Sequence, residues 1–409
     1  MKEEIRTLAN QIRVVRQSCE GEVCCCGFAI GAGTRDETDS EQGIAHFTEH
    51  MLFKGTPRRN AWHILNRMGA VGGEINAYTT KEEIFLYAIC LKKDYERALE
   101  LMCDMLLHSN FPACEIESER EVVLDEINVY EDSPSELIYD DFEKYLYSPH
   151  PFGRNILGSA DCLARMDTAS FLAFTSRCFT TDRLVYFSLD SLPAEKEWRL
   201  IGKYLDGVPD SSSRSVLHRR SRPTLAKGLR QTIDRQTHQA HVLYGNEAYN
   251  LYDDRRLTLY LLNNHLGGPG MNSLLNNALR ERHGLVYTVE SSMNSYSDTG
   301  LFSIYFGADA KDVDRCLGMI DKILRQLREK PLSHYQLQAA KKQLYGQLAI
   351  AAENKESQAL AMGKSVLYYN CFESMEQLFA KIEALQPADL REVAAEVFDP
   401  RQMSLLIYR

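Results

Sequence analysis

The chain has no apolar run long enough to span a membrane, and its first fifteen residues, Met1-Lys2-Glu3-Glu4-Ile5 onward, lack the apolar core of a secretory signal. An embedded or signal-directed protein is therefore not expected, and no membrane partner. Basic charge is also scarce: 47 Lys and Arg stand against 57 Asp and Glu, a net charge of −10. That removes the electrostatic case for nucleic acid or an anionic membrane surface. A complete phosphate loop is missing too. Gly363-Lys364-Ser365 looks like the end of one, but Gln358 occupies the place of its first glycine, so no nucleotide site is expected. The 11 cysteines are odd in number, and Cys24-Cys25-Cys26 lie on an apolar, strand-like stretch. Neighbours on a strand point to opposite faces, which makes a poor metal cluster. Reduced thiols in a cytoplasmic protein are the expectation.

What the sequence does contain is His46-Phe47-Thr48-Glu49-His50. On an α-helix His46 and His50 leave one face and can hold one zinc ion, while Glu49 falls beside the same site. Asp39 and Ser40 offer an N-cap, Glu41 an acidic first turn and Gly55 a stop, so a helix is predicted here. His-x-x-Glu-His is a recorded metallopeptidase pattern. With 11 His and at most 57 Glu in 409 residues, chance supplies such a triplet about 0.04 times. The bland alternative is a surface helix with two solvated histidines.

A zinc site of the catalytic type needs one further ligand and keeps a fourth position for water. The best candidate lies in the helical stretch Glu119-Arg120-Glu121-Val122-Val123-Leu124-Asp125-Glu126-Ile127, where Glu119 and Glu126 share a face. Glu126 sits among Val123, Leu124 and Ile127, and a carboxylate on an apolar segment is costly unless paired or bound to a metal. An ordinary solvated helix face is the competing reading.

His46, Glu49 and His50, with Glu126 76 residues beyond His50 and Glu119 seven before it, resemble the pitrilysin/insulinase superfamily of zinc peptidases. The likeness is to its half-length branch, which includes mitochondrial processing peptidase and bacterial relatives. It runs along nearly the whole chain, through Gly31-Ala32-Gly33-Thr34-Arg35-Asp36-Glu37, Asn76-Ala77-Tyr78-Thr79, His150-Pro151-Phe152-Gly153-Arg154 and Leu279-Arg280-Glu281-Arg282-His283-Gly284-Leu285-Val286-Tyr287. The resemblance implies that His46, His50 and Glu126 are zinc ligands, that Glu49 is the general base and that Glu119 is a supporting acid. It implies that Asn76 and Ala77 contact substrate from a strand to which an extended peptide can add. It implies that Arg280 and Tyr287, in a catalytically silent domain, reach toward the substrate carbonyl. Relatives of full length join four such domains into a closing chamber. Two chains of this kind, as a homodimer or with a homologous subunit, are therefore expected to enclose unstructured peptides. The alternative is a non-catalytic scaffold subunit, although such relatives typically lose a ligand or the base. The glycine loop Gly267-Gly268-Pro269-Gly270 departs from the family pattern at Pro269.

The halves look like one unit written twice. Leu86-Tyr87 with Lys93-Asp94-Tyr95-Glu96-Arg97-Ala98-Leu99 matches Ile304-Tyr305 with Lys311-Asp312-Val313-Asp314-Arg315-Cys316-Leu317 at a constant offset of 218 residues. In each copy a long helix follows, near 115–130 and 334–352. The predicted fold is α+β: two homologous domains, each a mostly antiparallel sheet with helices on one face. Residues 1–208 form the zinc-binding domain, 209–226 a Ser/Arg-rich linker, and 227–409 the second domain, which lacks His-x-x-Glu-His. The basic run inside the linker reads as solvated chain or as a docking patch. His238 and His241 are expected on opposite faces of a strand, unrelated to the metal.

Overall fold

The computed structural model describes residues 3–212 and 222–409 and divides into two compact units. The first comprises residues 1–128, 154–220 and 350–373; the second comprises 129–153, 221–349 and 374–409. Half of the expected linker, residues 213–221, lies outside the described residues.

Six strands build the sheet of the first unit: β1 (Glu3–Thr7), β2 (Arg13–Ser18), β3 (Val23–Ile30), β6 (Glu74–Thr79), β7 (Ile84–Leu91) and β8 (Leu184–Asp190). Two short strands, β4 (Gly55–Thr56) and β5 (Arg59–Asn60), pair only with each other. The sheet order is β1-β2-β8-β3-β7-β6, with all pairs antiparallel except β2 with β8. Strand β3 shows how the sheet reads its sequence. Cys24, Cys26, Phe28 and Ile30 enter one core while Cys25 and Ala29 enter the other, so the cysteine triplet splits as a period of two requires. All eleven cysteines are free thiols. The larger core lies under α1 (Ile44–Leu52), α2 (Ala61–Gly69), α3 (Tyr95–His108), α4 (Ala113–Glu131) and, further along the chain, α6 (Ala160–Leu163), α7 (Thr168–Cys178) and α8 (Ala194–Leu205).

The second sheet contains β9 (Arg230–Ile233), β10 (Ala240–Glu247), β11 (Val286–Ser295), β12 (Gly300–Ala308) and β13 (Ser404–Tyr408) in the order β11-β12-β10-β13-β9. Strand for strand this is β6-β7-β3-β8-β2 again. The single parallel pair, β13 with β9, stands where β8 pairs with β2. The 218-residue repeat thus corresponds to one topology used twice, with Leu86 and Ile304 on equivalent strands. Its core packs against α9 (Arg256–Gly267), α10 (Val313–Glu329), α11 (His334–Ala351), α13 (Met375–Ala384) and α14 (Pro387–Val397).

Each sheet also carries one helix on its opposite face, supplied by the other half of the chain. Helix α5 (Pro134–Tyr147) lays Ile138, Phe142 and Leu146 on Leu243, Tyr305 and Leu406 of the second sheet. Helix α12 (Lys355–Tyr369) lays Ala359, Met362 and Val366 on Val15, Phe85 and Phe187 of the first. Each large side chain so buried contributes roughly 1.5–3 kcal/mol. Gly363 permits the close approach of α12, since a Cβ there would stand 2.6 Å from the Phe187 ring. Lys364 pairs with the buried carboxylate of Glu83. The Gly363-Lys364-Ser365 stretch is therefore a helix-to-sheet contact. No helix among the described residues is long and apolar enough to cross a membrane.

Candidate active site

Helix α1 opens at Gly43, whose φ of 95° is left-handed and whose Cβ, were there one, would meet the Leu157 carbonyl oxygen at 2.7 Å. The expected cap from Asp39 or Ser40 is not used, because the helix starts later than the polar run suggests. Instead the buried carboxyl group of Glu37 accepts hydrogen bonds from the Gly43 (3.1 Å) and Ala45 (3.0 Å) backbone N–H groups. Burial pushes the Glu37 carboxyl up to about 8, against the pull of those two donors. Asp39 pairs with Arg154, and Glu41 with Arg177. The helix stops at Leu52 with Phe53 as its C-cap, so Gly55 is not its terminator and instead begins β4.

His46 and His50 leave one face of α1, with ring centroids 4.6 Å apart. Both Nε2 atoms lie 3.7 Å from the same Glu126 oxygen on α4, and one ligating atom from each of the three residues falls within 4.8 Å of the others. Burial and the neighbouring His50 lower His46 to about 3, so His46 is neutral. His50 Nδ1 sits 2.9 Å from Glu119 Oε1, and Lys54 holds the other Glu119 oxygen. With Nδ1–H donating to Glu119, the His50 Nε2 lone pair is turned toward Glu126. Two imidazole Nε2 atoms and a carboxylate oxygen thus converge on one point, a donor set of the kind that holds a divalent cation. Zinc bonds of about 2.0–2.2 Å place tetrahedral ligand atoms about 3.3–3.6 Å apart, close to the two 3.7 Å separations from Glu126.

Glu126 reaches this position for a different reason from the one its neighbours suggested. Val123 is buried, and Leu124 and Ile127 pack on the core, while the Glu126 side chain, 44% exposed, points away from them. Glu119, two turns earlier, is the buried carboxylate of the pair. Glu49 is not among the three converging groups. Its Oε2 accepts from Thr79 Oγ1 at 2.6 Å. Burial raises the Glu49 carboxyl, while Thr79 and then His50 pull it down.

Thr79 closes β6, the last strand of its sheet. On this strand Asn76 is exposed opposite Tyr87, and Ala77 packs on the core opposite Leu86. In the second unit Arg280 lies in a π-helical turn (Asn276–Glu281), and Tyr287, 77% exposed, is the second residue of the edge strand β11. Both line a cavity of about 420 Å³ together with Gly267–Gly270, which brings the glycine loop and the Arg/Tyr pair to one place. His241 lies in β10 and bonds the Tyr305 hydroxyl at 2.8 Å, but His238 sits in a bend before that strand. Sequence reasoning missed Glu37, Lys54 and Thr79. Of these only Lys54, four residues after His50, had a helical spacing that could have pointed to it.

Comparison with known proteins places the chain in a family. The family model for insulinase (peptidase family M16) matches residues 13–160, and that for the peptidase M16 inactive domain matches residues 165–344. An uncharacterized zinc protease of Streptomyces coelicolor is 32% identical over 97% of this chain and 87% of its own length. The chain belongs to the M16 peptidase family. The zinc protease YmxG of Bacillus subtilis, also uncharacterized, is 30% identical over 96% of this M16 chain and 95% of its own. A protease from Helicobacter pylori superposes with a TM-score of 0.93 at 20% identity, covering 100% of this chain and 99% of that one, a likeness of fold. The insulinase match contains His46, Glu49, His50, Glu119 and Glu126, whereas Arg280 and Tyr287 fall in the match named for an inactive domain.

Proposed function

We propose that this M16 metallopeptidase is a zinc-dependent endopeptidase acting on unstructured peptides. The observation that carries this reading is the convergence of His46, His50 and Glu126 on one point, with the separate carboxylate of Glu49 beside it. When bound by those three residues, zinc supplies Lewis acidity that lowers the pKa of water and polarises a peptide carbonyl. Glu49 takes a proton from the attacking water and returns it to the leaving amine. Thr79 holds the Glu49 carboxylate, and Glu119, itself held by Lys54, orients His50. The substrate adds to the β6 edge as an extended strand, with Asn76 and Ala77 as the contact positions. Arg280 and Tyr287 act from the second half of a partner chain, identical or homologous, and the two chains enclose the peptide.

The test compares wild type with Glu49→Gln on an unstructured quenched-fluorescence peptide, each checked for bound zinc. Glu49→Gln is expected to keep zinc and lose turnover by about 10²–10⁴-fold. Full activity in that variant sinks the general-base role. A zinc-loaded wild type that cleaves nothing points to a missing partner subunit or to the scaffold alternative.

A further inference from the structure

Behind the turn that carries Arg280 lies a second cavity, of about 490 Å³, formed by the back of α9, the π-helical turn and the loop joining α10 to α11. Its apolar wall is built by Leu274, Ile323, Leu327 and Leu332, which also pack on the core of the second unit. Arg282 and Lys330 stand at its rim. No acidic residue lines it, in a chain whose net charge is −10. Neither Arg282 nor Lys330 makes an ion pair among the described residues, whereas most arginines of the first unit do. His265 also lines the cavity. Its Nε2 is closed off without a hydrogen-bond partner, and burial lowers its basicity, so the imidazole is neutral.

An apolar wall next to two uncompensated cations fits a particular chemistry. A fully polar anion such as inorganic phosphate would leave the leucine wall wet, and a neutral apolar molecule would leave the cations unpaired. We propose that this cavity is a binding site for a small organic carboxylate with an apolar body, whose charge meets Arg282 and Lys330 and whose body covers Leu274, Ile323 and Leu332. The site shares its walls with the Arg280 cavity. Asn276 and Arg280 line one side of the π-helical turn, and Asn277 and Arg282 line the other. A carboxylate that draws Arg282 inward therefore bears on the same turn that positions Arg280.

A free organic acid and the C-terminal end of a peptide both present this chemistry. The probes are 4-phenylbutyrate and acetylated leucyl-phenylalanine, each with its carboxamide as the uncharged control, titrated calorimetrically into the full chain. The measurement needs no catalysis, so it stands or falls separately from the peptidase reading. At least one acid is expected to bind one-to-one, its amide at least about tenfold more weakly. Arg282→Gln combined with Lys330→Gln is expected to weaken the acid by a similar factor while leaving thermal unfolding unchanged, since both side chains are exposed. Tighter binding of the dipeptide points to a peptide terminus as the ligand, and tighter binding of phenylbutyrate to a free acid. No binding at millimolar concentration, amides that bind as well as acids, or a double variant that binds like wild type overturns the proposal.

Discussion

Removing one hydroxyl, in Thr79→Val, tests how Glu49, the proposed base, is held. Thr79 donates to Glu49 at 2.6 Å, and burial works against the charged form of that carboxylate. A hydrogen bond to a charged group contributes roughly 1.5–3 kcal/mol, and every 1.4 kcal/mol is a factor of ten, so kcat should fall by about 10–100-fold. Valine keeps the volume and β-branching that suit a strand, so β6 and its pairing with β7 should survive. Thr79→Ser, which retains the donor, should stay within a few-fold of wild type. The pH profile has a defined sign. Thr79 pulls the Glu49 carboxyl down, so its loss lets burial raise it further, and the acid limb of kcat/KM moves to higher pH. The assay is steady-state cleavage of a quenched-fluorescence peptide across pH, with zinc content measured in each variant. A Thr79→Val enzyme with wild-type kcat and an unmoved acid limb refutes the argument.

Glu119→Gln should weaken zinc by about 10–100-fold through the loss of His50 orientation, and Glu126→Gln by more than that, both measured by chelator competition. If Glu126→Gln binds zinc like wild type, Glu126 is not a ligand. Gly43→Ala should cost at least about 1–2 kcal/mol of unfolding free energy in urea, because alanine resists the left-handed backbone and its methyl would crowd the Leu157 carbonyl. Glu37, raised from 4.5 to about 8, holds its proton more tightly in the folded chain. That contribution is fully present below pH 4.5 and is lost as pH rises to about 8, an upper bound on the order of 5 kcal/mol. Glu37→Gln should flatten the loss in a pH series of unfolding midpoints, and an unchanged slope contradicts it.

The grouping of His46, His50 and Glu126 was legible because two of its members are fixed by the helix repeat alone. His46 and His50 share a face wherever their helix sits, and Glu119 and Glu126 share one on theirs. The duplication was legible because strand-to-helix order repeats in the sequence before any packing is known. What stayed hidden depends on distant chain segments meeting. Glu37 reaches the start of α1 from an irregular stretch, and Thr79 comes from a strand 30 residues after Glu49. The apolar neighbours of Glu126 were an incomplete guide, since on a helix adjacent residues face different ways and only Val123, Leu124 and Ile127 face the core. The second-face helices could not be read either, because α5 and α12 carry ordinary amphipathic sequence that says nothing about which sheet receives it.

The crossing of α5 and α12 makes the duplicated halves inseparable as folding objects. Severing the chain between residues 209 and 226 would leave the first fragment without the helix that roofs Phe85 and Phe187, and the second without the one that roofs Leu243 and Leu406. Each fragment alone would bare a greasy sheet face and aggregate, yet the two together hold every missing part. Coexpressed fragments should therefore reassemble, as a lock does when each piece keeps the other's key.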